Sequence, residues 1–201
     1  VGAGPFHSQS TEAWFFHTPG LKIVYPSTPE DAKGLLLAAF EDPNPVMFFE
    51  HKYLYRSLVG NVPEGYYTVG IGKARQVKEG NDVSIITYGL GVQWAEQAAE
   101  RFSSISFDIV DLRSLAPLDF DSIQASVART GKVIILHEDS LTGGIGGEIS
   151  ARINEKLFHL LDAPVMRCAS LDTPIPFAAE LEKQYLANDK LDEVIQTILD
   201  Y

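Results

Sequence analysis

His7 stands in Gly4-Pro5-Phe6-His7-Ser8-Gln9-Ser10, among small polar residues, with glycines and a proline before it and a helix start after it. Such a backbone presents an imidazole to a cleft rather than burying it. A neutral imidazole can pass a proton as general acid or base, or donate to an anionic intermediate. A lone histidine is more often structural than catalytic, so type and spacing alone leave both readings open.

A second candidate is the helix end Ala39-Phe40-Glu41-Asp42-Pro43-Asn44-Pro45. A helix C-terminus leaves carbonyl oxygens without amide partners. Two prolines add no N–H groups and push the residues before them into extended conformations. Outward oxygens of this kind can hold a hard cation, although Asp-Pro-Asn runs also form solvated turns, the better reading of the motif by itself.

Other groups carry less. Gly143-Gly144-Ile145-Gly146-Gly147-Glu148 opens a helix, but the spacing fits neither dinucleotide nor P-loop binding, so close helix–strand packing explains the glycines better. His137-Glu138 sits at a strand's carboxyl end, where crevices form in open α/β sheets. His17, His51 and His159 have no metal-ligand spacing. Cys168 lies in an apolar run and reads as a buried strand thiol.

The elements that must position these residues alternate. Helix is expected over 11–18, 28–41, 91–102, 119–129, 145–161 and 190–199, and strand over 20–25, 46–50, 82–88, 106–112, 133–137 and 165–169. Ser27-Thr28-Pro29-Glu30-Asp31 is a strong helix start, and 46–50 is expected to be a buried strand. Leu181, Leu186, Leu191, Val194, Ile195 and Leu199 are expected in the core. The pattern predicts an α/β fold with a mostly parallel sheet and helices on both faces. Val1 is not a natural start and His7 follows almost at once, which predicts a first domain entered part-way through.

The 201 residues are 45% hydrophobic and 21% charged, with a formal net charge of −11. That acidity argues against nucleic acid or an anionic membrane as partner. One cysteine excludes an internal disulfide framework and suits a reducing compartment. No window approaches a membrane span and no signal peptide is visible, so the cytoplasm is expected, or the mitochondrial matrix in a eukaryote.

Read in order, several segments resemble the β subunit of thiamine-diphosphate-dependent 2-oxo acid dehydrogenases, the decarboxylating first component of the multienzyme complexes. They are His7-Ser-Gln-Ser-Thr-Glu-Ala13, Pro26-Ser-Thr-Pro-Glu-Asp-Ala32, Glu41-Asp-Pro-Asn-Pro45, Phe49-Glu-His-Lys-Tyr-Leu-Tyr-Arg56, Ile109-Val-Asp-Leu-Arg-Ser-Leu115, Leu141-Thr-Gly-Gly144 and Asp172-Thr-Pro-Ile-Pro-Phe177. The resemblance implies a truncated pyrimidine-binding domain over 1–56, a connector over 57–73 and a transketolase-type C-terminal domain over 74–201. His7 aligns with the family's active-site histidine. Ala39, Phe40, Asp42 and Asn44 align with residues that bind a structural potassium ion, largely through backbone carbonyls.

The partners implied are an α subunit or the α part of a fused chain, a second β copy, and a lipoyl-bearing acyltransferase docked through its peripheral subunit-binding domain. The glutamate that activates the cofactor and the diphosphate–magnesium motif are not in this sequence. Thiamine diphosphate with magnesium is therefore expected only in the complete enzyme, with no cofactor-binding residue here and the isolated chain inactive. The His-Ser-Gln-Ser form is nearest to branched-chain enzymes, with pyruvate and acetoin dehydrogenases as alternatives. A non-catalytic assembly and docking module is a second class, and a sugar-phosphate transketolase ranks last.

Overall fold

The computed structural model describes residues 2–201; Val1, the expected first residue of the truncated domain, lies outside them. Its first sheet holds β1 (Lys22–Val24), β2 (Val46–Phe48) and β6 (Ser114–Ala116), in the order β2-β1-β6. Strands β1 and β2 are parallel and β6 is antiparallel to β1, so a strand from the second half of the chain completes a sheet begun by the first. Strand β2 is half-buried, not buried as expected, because it forms the open edge of this sheet.

The second sheet has the order β3-β5-β4-β7-β8, from β3 (Arg75–Lys78), β4 (Val83–Thr87), β5 (Phe107–Asp111), β7 (Val133–Ser140) and β8 (Met166–Ser170). All pairs are parallel except β3 with β5 at one edge. Helices α5 (Gly91–Arg101), α6 (Phe120–Thr130) and α7 (Ile145–Leu157) link the parallel strands. With α9 (Asn188–Leu199), they cover both faces.

Pleating sorts the strand residues to two cores. Val83, Ile85, Phe107, Ile109, Ile134 and Leu136 pack towards α5 and α9. Val110, Val133 and Ile135 face α6 and α7, and the same core takes in Ile23 and Tyr25 from the first sheet's β1 and its following loop. Two covered faces explain why these strands are almost unbroken apolar runs.

Caps fix the helix ends. Thr28 Oγ1 accepts from the Asp31 amide at 3.1 Å and Pro29 fills the first turn of α3 (Pro29–Glu41). Asp119 caps α6, and Gly131 ends it in the left-handed conformation at φ 63°. The expected helix over 145–161 stops at Leu157 and continues as a 3-10 turn over Phe158–Leu160. Leu191 and Ile195 are fully buried, but Leu181, on the short α8 (Ala179–Tyr185), is 53% exposed and is not a core residue.

A polar clasp joins the two sheets' surroundings. Arg113 Nη1 lies 2.8 Å from Asp31 Oδ1, and Arg75 Nη2 lies 3.2 Å from Asp111 Oδ2. The Ser27 hydroxyl donates to the same Asp111 carboxylate.

Candidate functional site

His7 ends the one-turn helix α1 (Gly4–His7) rather than sitting in a loop, and its side chain is exposed. Polar and ring contacts tie its segment to the second half of the chain. The Gly2 amide donates to Glu182 at 3.0 Å. Gly4, at φ 60°, lets Phe177 pack where any Cβ would strike the ring, and Phe6 meets the same ring at 6.1 Å. Glu12, which opens α2 (Glu12–Phe16), accepts from Tyr88 Oη at 2.7 Å.

His7 lines a shallow cavity of about 90 Å³ with Ser8, Tyr25, Glu50, His51 and Glu138. Tyr25, Glu50 with His51, and Glu138 come from the carboxyl ends of β1, β2 and β7, so the cleft lies where the ends of parallel strands from both sheets converge. His51 Nε2 donates to the Glu138 carboxylate, while His51 Nδ1 accepts from the Tyr53 amide at 3.2 Å. His51 and Glu138 also line a larger neighbouring cleft of about 590 Å³ that runs along α5 and α8, and they form its wall against the His7 cavity.

Behind the cavity lies a buried polar layer. Glu12 is 1% exposed and its Oε2 has no hydrogen-bond partner. Burial pushes its carboxyl up to about 7, helped by Asp139 and Glu138 and opposed by the Tyr88 hydrogen bond. Burial likewise raises the phenols of Tyr25 and Tyr88 well above their ordinary value. His137 is fully buried, and burial lowers its imidazole to about 4, so it is neutral. Its Nδ1 lies 3.2 Å from the Asp139 carbonyl, which fixes the proton there, and its ring packs against Gly144 and Gly146. The glycines at the start of α7 therefore admit a histidine, as close packing requires, and hold no phosphate cradle.

The second candidate lies apart from this cleft. Helix α3 ends at Glu41, and Asp42 turns extended at ψ 130°. The Asp42 carboxylate is already engaged: Oδ1 accepts from the Asn44 amide at 2.9 Å and Oδ2 from Lys22. Backbone oxygens of Ala39, Phe40, Asp42 and Asn44, with the Asn44 side-chain oxygen, are what could meet a cation there. Among the described residues no cluster of three or more His, Cys, Asp or Glu side chains is arranged to hold a metal. Cys168 is buried, donates to the Ala187 carbonyl at 3.3 Å and is pushed up to about 12, chiefly by burial. No helix among the described residues is long and apolar enough to cross a membrane.

Sequence reasoning missed Glu12, Tyr25 and Tyr88 and noted His51 only to dismiss it as a metal ligand. A signal for Glu12 was present. It shares a helical face with Phe15 and Phe16, and both of these pack on the core.

Comparison with known proteins gives a consistent likeness. The family described as "Transketolase, pyrimidine binding domain" matches residues 2–57, and "Transketolase, C-terminal domain" matches residues 72–190. The chain is 48% identical over 200 residues to the 2-oxoisovalerate dehydrogenase subunit beta of Bacillus subtilis, covering 98% of this chain and 61% of that one. It is 45% identical over 193 residues to the pyruvate dehydrogenase E1 component subunit beta of the same organism, covering 95% of this chain and 58% of the relative. The chain thus spans less than two thirds of the length of these relatives. A solved structure titled "Split gene transketolase, inactive beta4 tetramer" superposes with a TM-score of 0.78 at 25% identity, over 96% of this chain and 62% of that chain.

Proposed function

From the premise that this chain belongs to the transketolase family, we propose that it works as part of the decarboxylating component of a 2-oxo acid dehydrogenase, branched-chain substrates favoured. The observation that carries this reading is a collinear likeness, over 98% of the chain, to a 2-oxoisovalerate dehydrogenase β subunit. A pyruvate dehydrogenase β subunit follows closely at 45% identity, and pyruvate is the first alternative substrate.

His7 is the catalytic residue in this reading. Exposed at the cavity rim, it can give or take a proton at a bound acyl intermediate. His51 cannot share that role, because both its nitrogens are already bonded. Tyr25, Glu50 and Glu138 shape the wall behind His7.

Thiamine diphosphate, when bound, supplies the carbanion chemistry of decarboxylation. This chain's described residues do not hold its diphosphate. The glycine-rich start of α7 is filled by His137, and Lys52 is the one cation lining the His7 cavity. The diphosphate and its magnesium belong to an α part, and this chain offers the face that meets substrate. The domain limits 1–56, 57–73 and 74–201 go with this assignment. So do a second β copy, an acyltransferase docked through its peripheral subunit-binding domain, and a place in the cytoplasm or mitochondrial matrix.

The oxygens at the end of α3 suit a monovalent cation, because they are backbone carbonyls with the Asn44 side-chain oxygen, and the Asp42 carboxylate is taken up by Lys22 and Asn44. Potassium there is structural. Exchanging potassium for sodium should lower the melting temperature of the chain, and equal melting in both salts removes the assignment.

The test of function is turnover of the assembled enzyme, this chain within its full β subunit and paired with α, by dye reduction with 2-oxoisovalerate, pyruvate or acetoin. His7→Ala should cut kcat at least about a hundredfold, the scale of a lost general acid–base group. Retained turnover sinks the role of His7. A second reading, assembly without catalysis, draws on exposed Phe6, Trp14, Phe40 and Phe177, which are 78%, 71%, 82% and 63% accessible. It gains ground if no substrate turns over while docking persists and weakens with salt.

A further inference from the structure

Beside the packing of Phe15 on Phe49 and of Phe15 and Phe16 on the core, three contacts fasten the His7 segment to the second half of the chain. Two, Gly2 to Glu182 and Gly4 with Phe6 to Phe177, fasten it to the chain around α8. The third runs from Glu12, five residues after His7, to Tyr88, which follows β4. Tyr88 is 4% exposed, stacks on the His137 ring at 6.4 Å and touches the Tyr25 ring at 5.5 Å, so the phenol cannot swing away. This contact, together with the packing of Phe15 and Phe16 on the core, sets the depth of α2 and with it the place of His7 on the cavity rim.

The carboxyl that makes it is poorly suited to a charge. One oxygen accepts from Tyr88 and the other has no partner, although the residue is 1% exposed. Tyr88 faces it from the end of β4 and Tyr25 from the end of β1, both phenols. Glu138 and Asp139 act on it from β7, both negative, and Glu138 is itself tied to His51 beyond β2. A buried carboxylate with one oxygen unpartnered and two like charges nearby is costly, and a proton removes that cost.

We infer that Glu12 is a positioning residue for His7: with a proton on its carboxyl it docks the α1–α2 segment against Tyr88, and loss of that proton loosens the segment and misplaces His7. This rests on the reading of His7 as the catalytic side chain. The displaced charge would draw water to Oε2 and push α2 outward, without removing any group that touches substrate. Because the carboxyl titrates near 7, the device works across the range in which the enzyme would operate.

The experiment compares wild type, Glu12→Gln, Tyr88→Phe and His7→Ala in the assembled enzyme, by dye-linked turnover from pH 6 to 9 and by amide hydrogen exchange over residues 4–16. Glutamine keeps the acceptor and cannot ionise. The ratio of Glu12→Gln to wild-type kcat should be flat at the acid end and climb above neutrality, by at most about tenfold per pH unit. Exchange over 4–16 should quicken with rising pH in wild type, beyond the intrinsic chemistry, and not in Glu12→Gln. Tyr88→Phe should speed exchange at every pH and lower kcat roughly tenfold, the worth of one buried hydrogen bond, with KM little altered.

If His7→Ala is crippled while the kcat ratio stays flat and exchange is unchanged in both other variants, the inference is overturned and the catalytic reading stands. If His7→Ala turns over normally, the catalytic reading itself fails, and positioning by Glu12 falls with it, whatever the exchange rates show.

Discussion

His51 Nε2 donates to Glu138, a residue 87 positions away, and this bond closes the wall between the His7 cavity and the larger cleft. Since Nδ1 accepts from the Tyr53 amide, the tautomer is set and the imidazole works as a strut between the end of β2 and the end of β7. The two side chains are 8% and 15% exposed, so water competes weakly for either.

Glu138→Ala leaves the His51 donor unpaired in that wall and should cost about 1–3 kcal/mol in urea unfolding. Glu138→Gln keeps an oxygen in place and should recover most of the loss. Equal destabilisation by the two variants would show that the carboxylate's charge, not an acceptor oxygen or the volume of the side chain, carries the contact.

Glu12 makes stability depend on pH in a defined direction. Its folded carboxyl lies near 7 against an ordinary 4.5, so in the interval between them the folded state holds a proton that the unfolded state has released. Stability is therefore lost as pH rises from about 4.5 to about 7, and no more is lost above that. The whole effect is at most about 3 kcal/mol. Glu12→Gln abolishes the titration, so its melting temperature should gain on wild type across this window and then run parallel. Parallel curves throughout would mean that Glu12 is solvated in solution.

The alternation of the larger sheet was legible because β4, β5 and β7 are buried on both faces and so are written as apolar runs between helical segments. Strands β3 and β6 were not. They are three or four residues long, and Arg75, Gln76 and Ser114 carry polar side chains that serve the clasp and the edge. His7 was legible from its polar, glycine-rich setting. The layer behind it was hidden, because Glu12, Tyr88 and Glu138 meet only through pairing of distant segments, and the helical face that Glu12 shares with Phe15 and Phe16 does not say which groups it meets. Leu181 misled for the opposite reason: its spacing from Leu186 reads as core, but α8 turns that side chain to the surface.

Gly146 is fixed by His137. A Cβ there would lie 2.5 Å from His137 Nε2 and 2.8 Å from Cδ2, and that ring is held by its bond to the Asp139 carbonyl and by Tyr88. Gly146→Ala should cost about 1–3 kcal/mol by overpacking, despite alanine's better helix propensity. Gly143→Ala gives the contrast. Nothing lies within 4 Å of its added Cβ, so its penalty comes only from the positive φ of 78°. If Gly146→Ala is neutral, the imidazole must move freely, and the neutral state set by its burial would be lost with it.

Arg113 is the keystone of the clasp and the one residue other than glycine with positive φ, at 55°, among those described. Its guanidinium bonds Asp31 at 2.8 Å, the Lys73 carbonyl at 3.1 Å and the Ala74 carbonyl at 3.0 Å, tying the start of α3 to the strand edge of the larger sheet. Asp31 is 3% exposed, so removing Arg113 leaves a buried carboxylate with Arg75 as its remaining cation, 3.3 Å away. Arg113→Ala should then cost about 3 kcal/mol, the scale for one partner lost from a buried pair. Arg113→Gly loses the same bonds but adopts the left-handed backbone freely, and should be more stable than the alanine variant by about 1 kcal/mol. In a double-mutant cycle with Asp31→Asn, the two sites should couple by about 1–3 kcal/mol. Additive losses would assign the cost of Arg113→Ala to the two carbonyl bonds, and the clasp would then hold the connector rather than α3.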